Sequence, residues 1–138
     1  MNEKEYFEKV KSYKLIANKS LGQNFLTNPQ IAEKIINLLN IKDDDRVLEI
    51  GAGLGSLSYY LSKTNASCEL IDIDERMLVF LNEQFSSNKN IQIKRQNILK
   101  YNLTPFNKII GNLPYYITTS ILEKILIDAV NAEQIVLM

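Results

Sequence analysis

Histidine and tryptophan are missing from these 138 residues, and cysteine occurs once, at Cys68. Without histidine there is no Ser-His-Asp or Cys-His relay, and with one cysteine there is neither a thiolate metal cluster nor an internal disulfide. Any chemistry must come from carboxylates, amides, backbone groups or a cofactor. An excess of charge is missing too: 16 Lys and Arg balance 16 Asp and Glu, so no overall positive field points to nucleic acid. Nothing approaches the ~20 apolar residues of a membrane span, and the opening MNEKEYFEKVKSYK lacks the apolar core of a secretory signal. The expectation is a cytoplasmic chain with no membrane and no metal. At 46% apolar and 23% charged, it has the composition of one ordinary globular domain.

Hydrophobic periodicity divides the chain into alternating helical and strand-like segments, with no internal repeat. Residues 3–16 set Tyr6, Phe7, Val10, Tyr13 and Leu15 among lysines and glutamates, as in an amphipathic helix. Lys4, Lys9, Lys11 and Lys14, with Lys19 beyond, outnumber Glu3, Glu5 and Glu8; they are either a local contact for RNA or a solvated face. Asn28 and Pro29 read as an N-cap and first helical position, with Ile31, Ile35, Leu38 and Leu39 as the apolar face behind them. Strands are predicted at 46–50, 68–73, 90–94, 108–111 and 134–138. Helices are predicted at 56–62, at 75–85 with Met77, Leu78 and Leu81 inward, and from a cap among 118–120 to 126. Asp43, Asp44 and Asp45 read as a solvated turn, and Cys68 as a buried strand residue. Strand alternating with helix predicts an α/β fold with a mostly parallel sheet covered on both faces. The segment QIVLM is apolar to its last residue, so the sheet is expected to be truncated before its last strands, a terminal edge strand being the alternative.

The sharpest local signal is Glu49-Ile50-Gly51-Ala52-Gly53-Leu54-Gly55, where a strand turns into a helix. Glycine permits positive φ and close approach of a ligand, and the helix behind it offers free N–H groups. A dinucleotide fingerprint would need glycine at 56, where Ser56 stands. The pattern favours a nucleoside carrying an amino-acid tail: Glu49 can organise a cationic amino group but would repel phosphate. Asp72 closes the second strand, where an acid can accept hydrogen bonds from both ribose hydroxyls. Together they outline an adenosine site. Asp74 and Glu75 read instead as helix-start acids.

Asn112-Leu113-Pro114-Tyr115 follows the fourth strand and so lies at the same carboxyl edge. An amine conjugated to a purine is a poor nucleophile because its lone pair is delocalised. Acceptors such as the Asn112 side-chain oxygen and the Leu113 carbonyl would stabilise the developing cationic nitrogen during methyl transfer. Pro114 fixes the chain, and Tyr115 offers a flat face on which an extruded base can stack. Tyr116 reads as packing or rim.

With these residues in place, the sequence resembles the N-terminal half of the ribosomal RNA adenine N6-dimethyltransferase family, whose relatives include the erythromycin-resistance RNA methyltransferases. The resemblance runs through Gln23-Asn24-Phe25-Leu26, Glu49 to Gly55, Ile71-Asp72-Ile73-Asp74, Gln96-Asn97-Ile98-Leu99, and Asn112 to Tyr115 followed by Ile117-Thr118-Thr119. It implies a Rossmann-like S-adenosylmethionine-dependent fold, two methyl transfers to N6 of each target adenine, and a helical C-terminal domain that helps hold RNA. On this resemblance residues 1–27 are the N-terminal helix and the segment that closes over the cofactor. Residues 28–138 are then a partial methyltransferase domain, and the RNA-binding domain is absent.

By position, the resemblance puts Asn24 and Leu26 in the closing segment, Gly51 and Gly53 under the methionine portion, and Asp72 at the ribose. It also places Ile73 and Ile98 at the cofactor, and Asn112 at both cofactor and target. Asp72 stands where the family usually has Glu. Asn97 stands where the family usually has an Asp that accepts from the adenine amine, so weaker cofactor affinity is expected. The implied substrate is ribosomal RNA within a small subunit or its precursor, bound by a monomer. Two other readings stay open: a large-subunit methylase conferring macrolide resistance, and a non-catalytic ribosome-assembly factor or inactive truncated product.

Overall fold

The computed structural model describes residues 1–14, 26–113 and 118–138, the side chains of Lys14 and Thr118 excepted. Its elements are α1 (Glu3–Lys14), α2 (Pro29–Leu38), β1 (Arg46–Ile50), α3 (Ser56–Leu61), β2 (Ser67–Asp72), α4 (Glu75–Phe85), β3 (Ile91–Arg95), a 3-10 turn (Ile98–Lys100), β4 (Lys108–Gly111), α5 (Thr118–Asp128) and β5 (Gln134–Leu137). β2 and β3 each lie one residue away from the predicted spans, α5 runs two residues further, and the 3-10 turn is additional.

The strands form one sheet in the order β3-β2-β1-β4-β5, and every pairing is parallel. β1 is its centre. Four of the five residues of RVLEI are buried, as expected for a strand covered on both faces. Alternation sends Val47 into one core with Cys68, Leu70 and Ile110, and sends Leu48 and Ile50 into another with Ile71 and Ile109. The first core takes the apolar faces of α1 to α4, including Tyr6, Phe7 and Val10, so α1 shares its packing with the helices that follow. The second is closed by Ile121 and Ile125 of α5 and by Leu103 and Phe106.

Local chemistry sets the helix starts. Asn28 caps α2, its side chain accepting from Gln30 N at 2.9 Å and Ile31 N at 3.2 Å, with Pro29 at the first helical position where a missing N–H costs nothing. Asp74 caps α4 by accepting from Arg76 N at 2.9 Å, and Glu75 pairs with Arg95 at 2.7 Å, so both serve the helix start as expected.

Two expectations are corrected. The buried face of α2 is Ala32, Ile35 and Ile36, followed by Leu39, whereas Ile31 and Leu38 are 47% and 63% exposed. The stripe at i, i+3, i+4, i+7 starts at the small Ala32, which apolar counting passes over. Asp45 is buried: it accepts from Lys42 N at 2.8 Å and from the Asn107 side-chain amide at 2.7 Å, with Lys108 Nζ 3.7 Å away. Lys108, also buried, donates to the Leu39 carbonyl and the Gln134 side chain, both at 2.7 Å. This polar knot ties α2, β1, β4 and β5 together at the amino ends of the strands. No helix among the described residues is long and apolar enough to cross a membrane.

The topology fixes where a ligand can sit. The chain moves outward from β1 to β2 and β3, then returns to the other flank of β1 as β4. At that reversal the carboxyl ends of β1 and β4 diverge, which is the crevice where open α/β sheets bind ligands.

Candidate functional site

Past Ile50 the chain turns through three glycines at positive φ, Gly51 at 66°, Gly53 at 58° and Gly55 at 73°. Residues with a Cβ are strained in this region, so the spacing G-x-G-x-G is a backbone requirement. The loop is tied to β2: Gly51 N and Ala52 N donate to the Ile71 carbonyl at 2.9 and 3.1 Å, and Gly53 N donates to Asp72 Oδ2 at 2.9 Å. Across the crevice, a Cβ built on Gly51 would lie 3.2 Å from the Asn112 carbonyl oxygen. Two motifs far apart in sequence therefore meet.

Asp72 sits at the carboxyl end of β2, with Oδ1 accepting from Asp74 N at 2.9 Å. Burial raises its pKa, against the lowering effect of its backbone hydrogen bonds from Asp74 and Gly53. With backbone donors from Asp74, Gly53 and Ile73 on about four lone-pair sites, the carboxylate keeps acceptor capacity for a further hydroxyl. Beside it, directly after β2, Ile73 is 58% exposed.

Glu49 is 1% exposed, and Ser58 Oγ of α3 donates to its Oε1. Burial pushes its pKa to about 8, with the Ser58 hydrogen bond opposing and the Asp72 charge adding to the rise. Its carboxyl is thus held mainly protonated at neutral pH, beneath the loop on the α3 side. Sequence reasoning missed the Ser58 partner, which follows only from α3 folding back over β1.

Asn97 follows β3, and its Oδ1 accepts from Leu99 N at 3.0 Å, capping the 3-10 turn. Ile98 is buried in the α5-side core. Asn112 is half-buried directly after β4; Leu113 is 3% exposed, and its N–H donates to the Met138 carbonyl at 3.0 Å. Leu26 is half-buried, and its carbonyl accepts from Ser56 Oγ at the start of α3. Asn24, Pro114 and Tyr115 lie outside the described residues. Lys4 and Lys11 are exposed on α1, and Lys9 stands 5.9 Å from the Phe80 ring centroid.

The edge therefore gathers a glycine cradle held at positive φ, a carboxylate with spare acceptor capacity, an exposed apolar side chain and a half-buried amide. This donor set fits a nucleoside: hydroxyls to Asp72, a flat ring against Ile73, and a polar tail over Gly51 and Gly53. Tyr6, unremarked in the sequence beyond its apolar spacing, reaches the same loop from α1 and donates to the Leu54 carbonyl at 2.7 Å.

Comparison with known proteins agrees with this geometry. Residues 15–138 match the family model described as Ribosomal RNA adenine dimethylase. The chain is 40% identical over 136 residues to a Ribosomal RNA small subunit methyltransferase A of Levilactobacillus brevis, an alignment that takes in 91% of this chain and 46% of that relative. Among solved structures, a dimethyladenosine transferase from Plasmodium falciparum is similar with a TM-score of 0.74 and 30% identity, covering 83% of this chain and 42% of that one. The 23S rRNA methyltransferase ErmE is similar with a TM-score of 0.69 and 29% identity, covering 81% and 45%. The chain spans about half the length of the relatives it matches. With that match running through the glycine loop, Asp72, Asn97 and Asn112, the chain belongs to the ribosomal RNA adenine dimethylase family.

Proposed function

We propose that this chain is the cofactor-binding and catalytic half of an S-adenosylmethionine-dependent ribosomal RNA adenine N6-dimethyltransferase. The observation that supports the reading is the close approach of Gly51 to the backbone carbonyl of Asn112, which lets one crevice serve both the glycine cradle and the residue to which we assign the catalytic amide. The small-subunit assignment draws its support from the 40% identity to the Levilactobacillus brevis protein. The substrate is adenine in small-subunit ribosomal RNA or its precursor.

In this reading Asp72 accepts the ribose hydroxyls, Ile73 lies against the adenine, and Gly51 and Gly53 let the backbone approach the amino-acid portion. Asn97 keeps a lone pair on Oδ1 for the adenine amine while capping its turn. Asn24 and Leu26 close the site, and Ile98 supports the adenine pocket from the core. Glu49, mainly protonated in the free chain, serves the cationic amino group from below the loop by giving up its proton as that charge arrives.

When bound, S-adenosylmethionine supplies a methyl group on a positively charged sulfur, an electrophile that needs no further activation. Asn112 and the Leu113 carbonyl hold the two N–H groups of the target amine, which stabilises the nitrogen as it gains positive charge. From the sequence pattern, we assign Pro114 to restrict the chain after Leu113 and Tyr115 to offer the face on which the extruded base stacks. Asn112 and the Leu113 carbonyl would keep hold of the amine while it takes on the methyl group, and the surplus proton would leave to water. No general base of shifted pKa is required.

The test is calorimetric binding of S-adenosylmethionine to this chain, with Asp72→Ala as control. Binding in the micromolar range that the variant loses supports the reading. A folded chain that binds nothing overturns it.

A further inference from the structure

Tyr6 is 2% exposed, and its hydroxyl donates to the Leu54 carbonyl at 2.7 Å. The N–H of the same peptide unit, that of Gly55, donates to the Ala52 carbonyl at 2.9 Å. Both polar groups of the Leu54–Gly55 peptide are therefore held, one from inside the loop and one by a helix outside it. The ring that carries the hydroxyl is fixed in turn. It stacks on Tyr59 at 4.9 Å between centroids, meets Phe7 edge-on at 5.8 Å, and lies 5.8 Å from Phe85. A Cβ on Gly55 would fall 2.4 Å from the Tyr6 hydroxyl and 2.9 Å from the Phe85 ring, so the loop presses directly on α1. Burial first, then the neighbouring Glu49 and Tyr59, hold the phenol well above its ordinary pKa, which keeps it a donor at physiological pH.

We propose that α1 is part of the cofactor site, with Tyr6 as a positioning residue whose hydroxyl fixes the Leu54–Gly55 peptide and so the shape of the loop beneath the cofactor's amino-acid portion. The proposal rests on the cofactor reading above. Three glycines within five residues give this loop high intrinsic backbone freedom, and freedom that survives folding must be surrendered on binding. A hydroxyl anchored in an aromatic cluster removes that freedom beforehand. Tyr60 supplies the natural comparison: its phenol makes the same kind of bond, to the Pro29 carbonyl at 3.0 Å, at the start of α2 and away from the loop.

The experiment measures two quantities in the full chain, in Tyr6→Phe and in Tyr60→Phe: amide hydrogen exchange without ligand, and calorimetric affinity for S-adenosylhomocysteine and for adenosine. Tyr6→Phe keeps the ring, so the core stays filled. The expected result is faster exchange at the Gly53 and Gly55 amides in Tyr6→Phe alone. With it goes a roughly fivefold loss of S-adenosylhomocysteine affinity, the scale of one lost neutral hydrogen bond, and unchanged adenosine affinity. Unchanged exchange at Gly55, or an affinity loss no greater than in Tyr60→Phe, overturns the proposal. A wild-type chain that fails to bind S-adenosylhomocysteine overturns the cofactor reading instead. The two failures are distinguishable because exchange is read without ligand.

Discussion

Gly51 faces the backbone carbonyl of Asn112 so closely that a methyl group there would stand 3.2 Å from the oxygen. Gly51→Ala meets two obstacles, the positive φ of 66° and that oxygen. The left-handed conformation alone costs an alanine roughly 1 to 2 kcal/mol. The expected outcome is a modest fall in melting temperature together with loss of S-adenosylmethionine binding by calorimetry. Retained affinity at reduced stability would show that the crevice tolerates being wedged open.

Asn97→Asp is expected to tighten the cofactor. The side chain already caps the 3-10 turn through Leu99 N, a role Asp fills equally well, so stability should change little. A charged acceptor strengthens a hydrogen bond by about 1 kcal/mol over a neutral one, which corresponds to roughly a fivefold gain in affinity. Titration calorimetry of the two proteins side by side decides it, and equal affinities count against Asn97 as the adenine contact.

Glu49 gives the chain a predictable pH response. Its pKa rises from an ordinary 4.5 to about 8, chiefly through burial. Between those values the folded chain keeps a proton that the unfolded chain has released, so unfolding free energy falls as pH rises through that window. Stability from this group is complete below the lower value and lost by the upper one. Glu49→Gln should therefore flatten the pH dependence of urea unfolding between pH 5 and pH 8, gaining on the wild type as pH rises. Asp72 shares the direction of shift and its charge acts on Glu49, so the difference reads the Glu49 proton together with its coupling to Asp72. Parallel profiles would place the proton elsewhere.

The knot at the other end of the sheet is a stability device. Hydrogen bonds from Lys42 N and Asn107 and the charges of Lys108 and Lys42 outweigh burial and hold Asp45 below its ordinary pKa. Lys108→Met strands the Leu39 carbonyl, the Gln134 side chain and a buried carboxylate, and should cost about 3 kcal/mol in urea unfolding. Adding Asp45→Asn to that variant should restore part of the loss. An additive double variant would show that the 3.7 Å pair carries no coupling.

Much of this was legible in the sequence, and the exceptions have a common cause. The bounds of α4, the Asn28 cap and the positive-φ glycines follow from local chemistry that a short window contains. Asp72 and Asn112 at one edge follow from strand-helix alternation, because parallel strands put all their carboxyl ends on one side. What escaped depends on distant partners. Asp45 reads as a solvated turn until Asn107 and Lys108 arrive from β4. Tyr6 reads as an apolar helix position because nothing nearby announces a carbonyl 48 residues away. Ala32 outranks Ile31 on α2 because packing against α3 selects the stripe, not the size of the side chain.

The central place of β1 has a consequence for how the chain is made. Val47 and Ile50 are flanked on one side by β2, synthesised soon after, and on the other by Lys108 to Gly111, which leave the ribosome much later. Without those residues the middle strand has an unpaired apolar edge, the kind of surface that is prone to aggregate. Gly51 has no Asn112 to face until β4 pairs with β1, so the crevice depends on that long-range pairing and not on the glycine loop alone.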